Sequence, residues 1–408
     1  MTMRNNNRRQ WLQGMGWTAL AGGAAARADS TAQPGPASAP QPAARPLDLL
    51  QFQPKSMLHV PVTKVERARF PVIDVHVHIS FLPSHLAFPP KIGDKIVYSA
   101  PPEELLPVMD RKNIRALVNV TGGVGENTRD CVQKYDKKYP GRFLTFTEPS
   151  YARINEPGYP RFQADAVQQA KRDGAHGLKV IKALGLALRD QSGQLIKVDD
   201  ARFDSMWGAC ADLDMPVAIH VSDPSAFFEP IDRFNERYEN LSQFPNWSFH
   251  GKDFPSNAEL LNARDRMFAR HPRTKFLVLH VGNFAENLGH VSESMDRFPN
   301  MYVELGARIA ELGRQPRNTR KFFEKYQDRI LFGTDAIPRG YEIPQQIFGE
   351  ALYEIYFRFL ETEDEYFAYE PTPAPLDGRW CIYGLGLPDA ILRKVYYENA
   401  ARLLHINV

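Results

Sequence analysis

The sequence predicts an α/β fold, a (β/α)8 TIM barrel, on three observations. Eight short apolar runs recur from about residue 70 onward, each followed by a loop and a stretch of helical length. No GxGxxG pattern follows the first run, which weakens the doubly wound open sheet as the alternative. Several of the runs end in His, Asp or Lys, the residue types that gather at one rim of such a barrel.

The first run, PVIDVHVHIS at 71–80, is apolar and β-branched and reads as a buried strand. Side chains two apart in a strand share a face. His76 and His78 therefore aim at one spot with Asp74 on the same face, while Val75, Val77 and Ile79 turn the other way. The strands are expected at 72–78, 116–121, 143–147, 177–182, 216–221, 275–281, 301–304 and 330–333. Helices are expected between them at 102–113, 127–138, 161–173, 199–212, 257–270, 285–298 and 317–327, with 388–404 closing the barrel. Pro101-Pro102-Glu103-Glu104 loads proline and acid into a first turn, and Asp199-Asp200 caps another. Tyr139-Pro140-Gly141 and His271-Pro272 end helices before the next strand.

Two segments interrupt the rhythm. Residues 222–256, after the fifth strand, carry Phe227, Phe228, Phe234, Tyr238, Phe244, Trp247 and Phe249. Residues 339–380, after the eighth, include an expected helix at 345–360. Long loops after strand C-termini are walls or lids of an active site.

The N-terminus lies ahead of this pattern. Arg8-Arg9 precede a mildly apolar run from Trp11 to Ala26, and Ala26-Arg27-Ala28 offers a small-x-small cleavage site. The run is too short to span a membrane, and the pattern resembles a bacterial twin-arginine export signal. The expected organisation is a signal at 1–28, a Pro/Ala-rich disordered linker at 29–48 and one catalytic domain at 49–408, exported to the periplasm already folded.

Across 408 residues, 43% hydrophobic and 24% charged content suits a sizeable core, and a net charge of +2 leaves no footprint for nucleic acid or an anionic membrane. Cys131, Cys210 and Cys381 are far apart with no CxxC, so a metal would be held by nitrogen and oxygen. The expected partner is a small-molecule substrate, with homo-oligomerisation left open.

The fifth strand ends in AIH at His220, the sixth in VLH at His280, the eighth in FGTD at Asp335, and the fourth carries Lys179. Four strands agreeing with His76 and His78 on one rim make a constellation of metal-ligand type. With the closing YYENAARLL at 396–404, this set resembles the amidohydrolase superfamily, in particular its amidohydrolase-related branch, over roughly 70–404. The resemblance implies His76, His78, His220 and Asp335 around a divalent metal, zinc foremost, as one ion or two. It implies His280 beside a single metal, polarising the substrate or steering the water. In two-metal relatives His280 becomes a ligand and Lys179 a carboxylated bridge, with Lys182 a nearby competitor. A free Lys179 would instead point its ammonium at a substrate oxygen, or sit at the surface or behind the site.

Three nitrogens and a carboxylate leave an open position where bound water becomes acidic. Asp335 then takes and returns the proton, and His280 stabilises the developing oxyanion. Arg308 and Arg339, past the seventh and eighth strands, would hold a substrate carboxylate or form exposed ion pairs. The expected reaction is metal-dependent hydrolysis of an amide, lactone or ester. The alternative is non-oxidative decarboxylation of an aromatic or unsaturated acid.

Overall fold

The computed structural model describes residues 47–82, 95–151, 153–339, 346–372 and 377–407. The expected signal and all but the last two residues of the expected linker lie outside the described residues. The chain divides into two units, Met1–Phe52 and Gln53–Val408. Of the first, the described residues hold one 3-10 turn, Leu49–Gln51. The second is the barrel.

Its strands are β1 (Val72–Val77), β4 (Ile114–Asn119), β5 (Phe143–Thr147), β6 (Gly177–Val180), β7 (Val217–Ile219), β8 (Phe276–Val278), β9 (Met301–Glu304) and β10 (Ile330–Leu331), with a small antiparallel pair, β2 (Ser80–Phe81) and β3 (Val97–Tyr98), beside the rim. The eight are parallel and ordered β1-β4-β5-β6-β7-β8-β9-β10. The circle is closed by Val75 N to Phe332 O at 3.0 Å, Asp335 N to His76 O at 2.8 Å and His78 N to Ala336 O at 2.8 Å. The fold is the (β/α)8 barrel.

Alternation along the strands builds two apolar layers. Ile73, Val75, Ala116, Val118, Leu144, Phe146, Ala218, Leu277 and Leu331 pack together, with Leu403 and Leu404 of the last helix against them. Val72, Leu117, Phe143, Leu178, Val180, Val217, Ile219, Phe276 and Val278 join the larger cluster shared with the helices. The helices follow the expected positions, for example Tyr159–Asp173 and Asn257–Arg270. The latter carries a full Ser256/Glu259 capping box.

Two expectations about strand geometry are corrected. Strict alternation in β1 fails, because one extra residue is inserted against β4 between Asp74 and Val77. Asp74 therefore turns to Tyr353 of the helix Glu350–Glu361, with Oδ2 accepting from Tyr353 Oη at 2.8 Å and from Thr334 Oγ1 at 2.6 Å. His76 turns to the barrel centre instead. The sixth strand also stops early: β8 ends at Val278, and the chain passes through a left-handed turn at His280 (φ 54°), Val281 (54°), Gly282 (70°) and Asn283 (59°).

Candidate active site

The site residues lie at or just past the C-terminal ends of short strands, where the sheet's hydrogen bonds stop and the next loop starts. His76 Nδ1 donates to Glu304 Oε1 at 3.1 Å. His78 Nδ1 donates to Thr121 Oγ1 at 2.9 Å, since the Thr121 hydroxyl hydrogen goes to the Ser80 carbonyl. Both imidazoles therefore carry their proton on Nδ1 and turn a bare Nε2 lone pair inward. Those lone pairs meet Asp335 Oδ1 at 3.0 Å and 2.9 Å. In the neutral imidazoles three lone pairs converge, so the point demands positive charge, as a proton on His76 Nε2 or as a bound cation. A cation belongs at that point, and the donor set of two imidazoles and one carboxylate suits a divalent transition metal.

Electrostatics agree. Burial pulls the His78 and His220 imidazoles down to about 4 and His280 well below the usual histidine range, so all three are neutral at pH 7. Burial would lower His76 as well, but the Asp335 and Glu304 carboxylates outweigh it and raise its proton affinity. Asp335 is buried, yet the His76 charge and the hydrogen bonds of His76 and His78 hold it well below the usual carboxylate range. Its second oxygen accepts from Gln346 Nε2. Close approach around Glu304 needs Gly333: a Cβ there would lie 2.2 Å from Glu304 Oε2 and 3.3 Å from His76 Cβ.

His76, His78 and Asp335 form one candidate metal group, and His76, His280 and Glu304 form a second that shares His76. His220 stands one ring further, its centroid 4.4 Å from that of His280, and its Nε2 faces Asp223 Oδ1 at 3.2 Å. His280 Nδ1 donates to Gly306 O at 2.8 Å, leaving a lone pair on Nε2. A neutral His280 so arranged accepts hydrogen bonds. It can steer a water's hydrogen, but the expected oxyanion role needs a donor that this tautomer lacks.

Lys179 is 2% exposed, with Nζ 3.5 Å from His76 Nε2, and burial brings its ammonium down to about 8. That removes the surface placement among its alternatives. Lys182 is drawn off to Asp223 at 2.5 Å. Arg308 lines the pocket, giving Nη1 to Ala307 O at 2.7 Å and holding Nη2 3.8 Å from Asp223. Arg339 is corrected: it is 63% exposed in its side chain, pairs with Glu104, and does not line the pocket.

A cavity of about 220 Å³ opens over this floor, lined by His78, Lys179, His220, His280, Arg308 and Asp335 and walled by Phe227 and Trp247, which stack at 6.1 Å and 29°. The aromatic-rich insertion does wall the site. Glu304, Gln346 and Asp223 were missed in the sequence. Glu304 carried the same signal as the others, an acid ending the apolar run MYV, whereas Gln346 sits in an irregular loop with none.

A family model described as Amidohydrolase matches residues 73–406. The chain belongs to the amidohydrolase family. No curated protein matches its sequence. Among solved structures, this amidohydrolase is similar to 2,6-dihydroxybenzoate decarboxylase complexed with 2,6-dihydroxybenzoate, at 17% identity and a TM-score of 0.50, covering 83% of this chain and 100% of that one. The 2,6-dihydroxybenzoate decarboxylase from Rhizobium has 16% identity and a TM-score of 0.49, covering 82% and 99%. A dihydroxybenzoic acid decarboxylase from Polaromonas sp. JS666, with bound manganese and the inhibitor 2-nitroresorcinol, has 14% identity and a TM-score of 0.49, covering 82% and 97%. At these identities the likeness is one of fold.

Proposed function

We propose that this amidohydrolase is a metal-dependent decarboxylase of a small, ring-bearing carboxylic acid. The observation that carries the reading is Arg308: a guanidinium 8% exposed, facing the cavity that holds the three converging lone pairs, with one backbone carbonyl as its hydrogen-bond partner among the described residues and Asp223 at 3.8 Å from Nη2. Its remaining N–H groups suit a bidentate carboxylate. Phe227 and Trp247 supply faces for a flat ring. The substrate named in the structure of 2,6-dihydroxybenzoate decarboxylase is of this kind.

His76, His78 and Asp335 would hold the ion, with Glu304 and Thr121 fixing the two imidazole tautomers; His220, whose Nε2 faces Asp223, would have to turn to add a fourth donor. A divalent ion there supplies a Lewis acid that polarises an oxygen beside the bond to be broken. Arg308 orients the carboxylate, the aromatic wall excludes water from the ring, and Asp335 relays from water the proton that replaces CO2 on carbon.

Hydrolysis is the second reading, favoured by one observation. Asp335 is held unprotonated, which suits a base that takes a proton from an attacking water. The experiment loads the protein with manganese or zinc and offers a panel of hydroxybenzoates beside aryl esters and lactones in labelled water. Decarboxylation releases CO2 one-for-one with loss of the acid. Hydrolysis places label in the product with no CO2. Full activity in metal-stripped protein overturns both.

A further inference from the structure

The adjacent strands β6 and β7 each supply the cavity twice. Lys179 and His220 reach its floor, and three residues further along each chain stand Lys182 and Asp223. The two strands pair in parallel with Val180 opposite Ile219, so these later residues meet above the floor. Lys182 Nζ donates to Asp223 Oδ2 at 2.5 Å. The other oxygen, Oδ1, faces His220 Nε2 at 3.2 Å and Arg308 Nη2 at 3.8 Å. Asp223 is 5% exposed, a carboxylate engaged at both oxygens and set between two cations.

The two cations are not used up by that carboxylate. Lys182 has three N–H groups and gives one of them to a partner among the described residues. Arg308 gives one to Ala307 O at 2.7 Å and stands beyond hydrogen-bond distance of Asp223. A purely structural pair in the same cavity looks different. At the arginine–acid wall, Arg237 pairs with Glu311 and Asp377, and its side chain is 2% exposed. Lys182 keeps 23% of its side chain exposed and lines the cavity, its Nζ 5.1 Å from the centre of the Phe249 ring. Phe249 in turn packs on Phe227 of the aromatic wall at 6.5 Å. The carboxylates lining the cavity are engaged: Asp223 by Lys182, Asp335 by the floor and Gln346, Asp377 by Arg237. Above the floor the charged groups therefore have donors to spare at two places, Arg308 and Lys182.

We propose that Lys182, held in place by Asp223, is a specificity residue that binds a second carboxylate on a substrate whose first carboxylate lies on Arg308. The first carboxylate rests on the reading given under Proposed function; the second rests on Lys182 and Asp223. Asp223 is the positioning residue, since its two oxygens space the two cations. A lysine is a compact point charge that takes a carboxylate without demanding one orientation. It therefore suits the outer end of a ring whose inner end is fixed by a guanidinium fork.

Calorimetry on the manganese-loaded full chain tests this with isophthalate, terephthalate, their monomethyl esters and benzoate. Asp223 stands between the two cations, so the meta and para spacings are the ones to offer. In the wild type at least one diacid binds about tenfold tighter than its monomethyl ester, the worth of a hydrogen bond between charged groups. In Lys182→Met that preference collapses to within about twofold. Lys182→Arg, which keeps the charge, keeps the preference. Asp223 retains His220 and Arg308 beside it in the methionine variant, and an unchanged near-ultraviolet spectrum checks the fold. Should that variant not fold, Lys182→Gln, which keeps a donor for Asp223 and loses the charge, shows the same collapse. Arg308→Met reads the other group through benzoate. A diacid preference that needs Lys182, with benzoate binding indifferent to Arg308→Met, keeps the lysine subsite and sinks the ring-acid reading. Diacids that bind no tighter than their esters, a preference that survives Lys182→Met, or no diacid binding overturns the subsite. Benzoate binding that is lost in Arg308→Met then leaves the ring-acid reading standing.

Discussion

The histidine floor and the arginine–acid wall line one cavity and are both nearly inaccessible to water, yet they are built on opposite principles. The floor draws His76, His78, His220, His280 and Asp335 from the ends of parallel strands or just beyond them, where backbone hydrogen bonds set each side chain's place. Its protons are consumed behind it, by Glu304, Thr121 and Gly306, so it presents lone pairs that lack a cation. The wall draws Arg237 and Asp377 from two insertions and Glu311 from the helix Ile309–Arg314, and it brings its own cation, so it is largely self-paired. The difference teaches that a buried polar group that brings its own counter-charge holds the fold together, whereas one that presents only lone pairs asks for a cation.

Asp335→Asn is the sharpest way to break that contrast, because it removes the floor's charge and keeps its shape. Turnover should fall by about 10²–10⁴-fold, with the melting temperature little changed. A variant within tenfold of wild type would show that the floor is not where the chemistry happens. Arg237→Met acts on the wall and leaves two buried carboxylates facing each other. Urea unfolding should register a loss of about 3–5 kcal/mol; a loss below about 1 kcal/mol would mean that water reaches the wall. Gly333→Ala should be milder, since its Cβ pushes only on the Glu304 carboxylate and the edge of His76. Metal affinity, followed by competition with a chelator, should weaken about 10–100-fold. Unchanged affinity would sever Glu304 from the site.

The floor was legible because its signal is local. A polar residue closing a short apolar run marks a barrel rim, and His76, His78, His220, His280 and Asp335 each did so. The β1 insertion was not legible: nothing in VIDVHV distinguishes a bulged strand from a regular one, and the shift at Asp74 arises from pairing with β4. Nor was the tautomer of His280, which depends on a carbonyl 26 residues away. The wall was illegible for a deeper reason, since Arg237 and Asp377 meet only because two insertions fold against the same mouth. Arg339 looked equal to Arg308 in sequence, and the course of the loop after β10 sends it outward to Glu104.

The left-handed turn after β8 has a consequence for how this amidohydrolase can change. Val281 is β-branched, 1% exposed and held at φ 54°, beside His280 at the same angle. Such residues store about 1–3 kcal/mol each. The same strained turn sets the His280 ring 5.1 Å from that of His76 and 4.4 Å from that of His220. Glycine at Val281 would relieve that strain, but it would also remove a side chain packed in the core, so the two effects oppose each other. Stability and site geometry in this barrel are therefore joined at one short turn, because the turn carries His280 into the cavity floor.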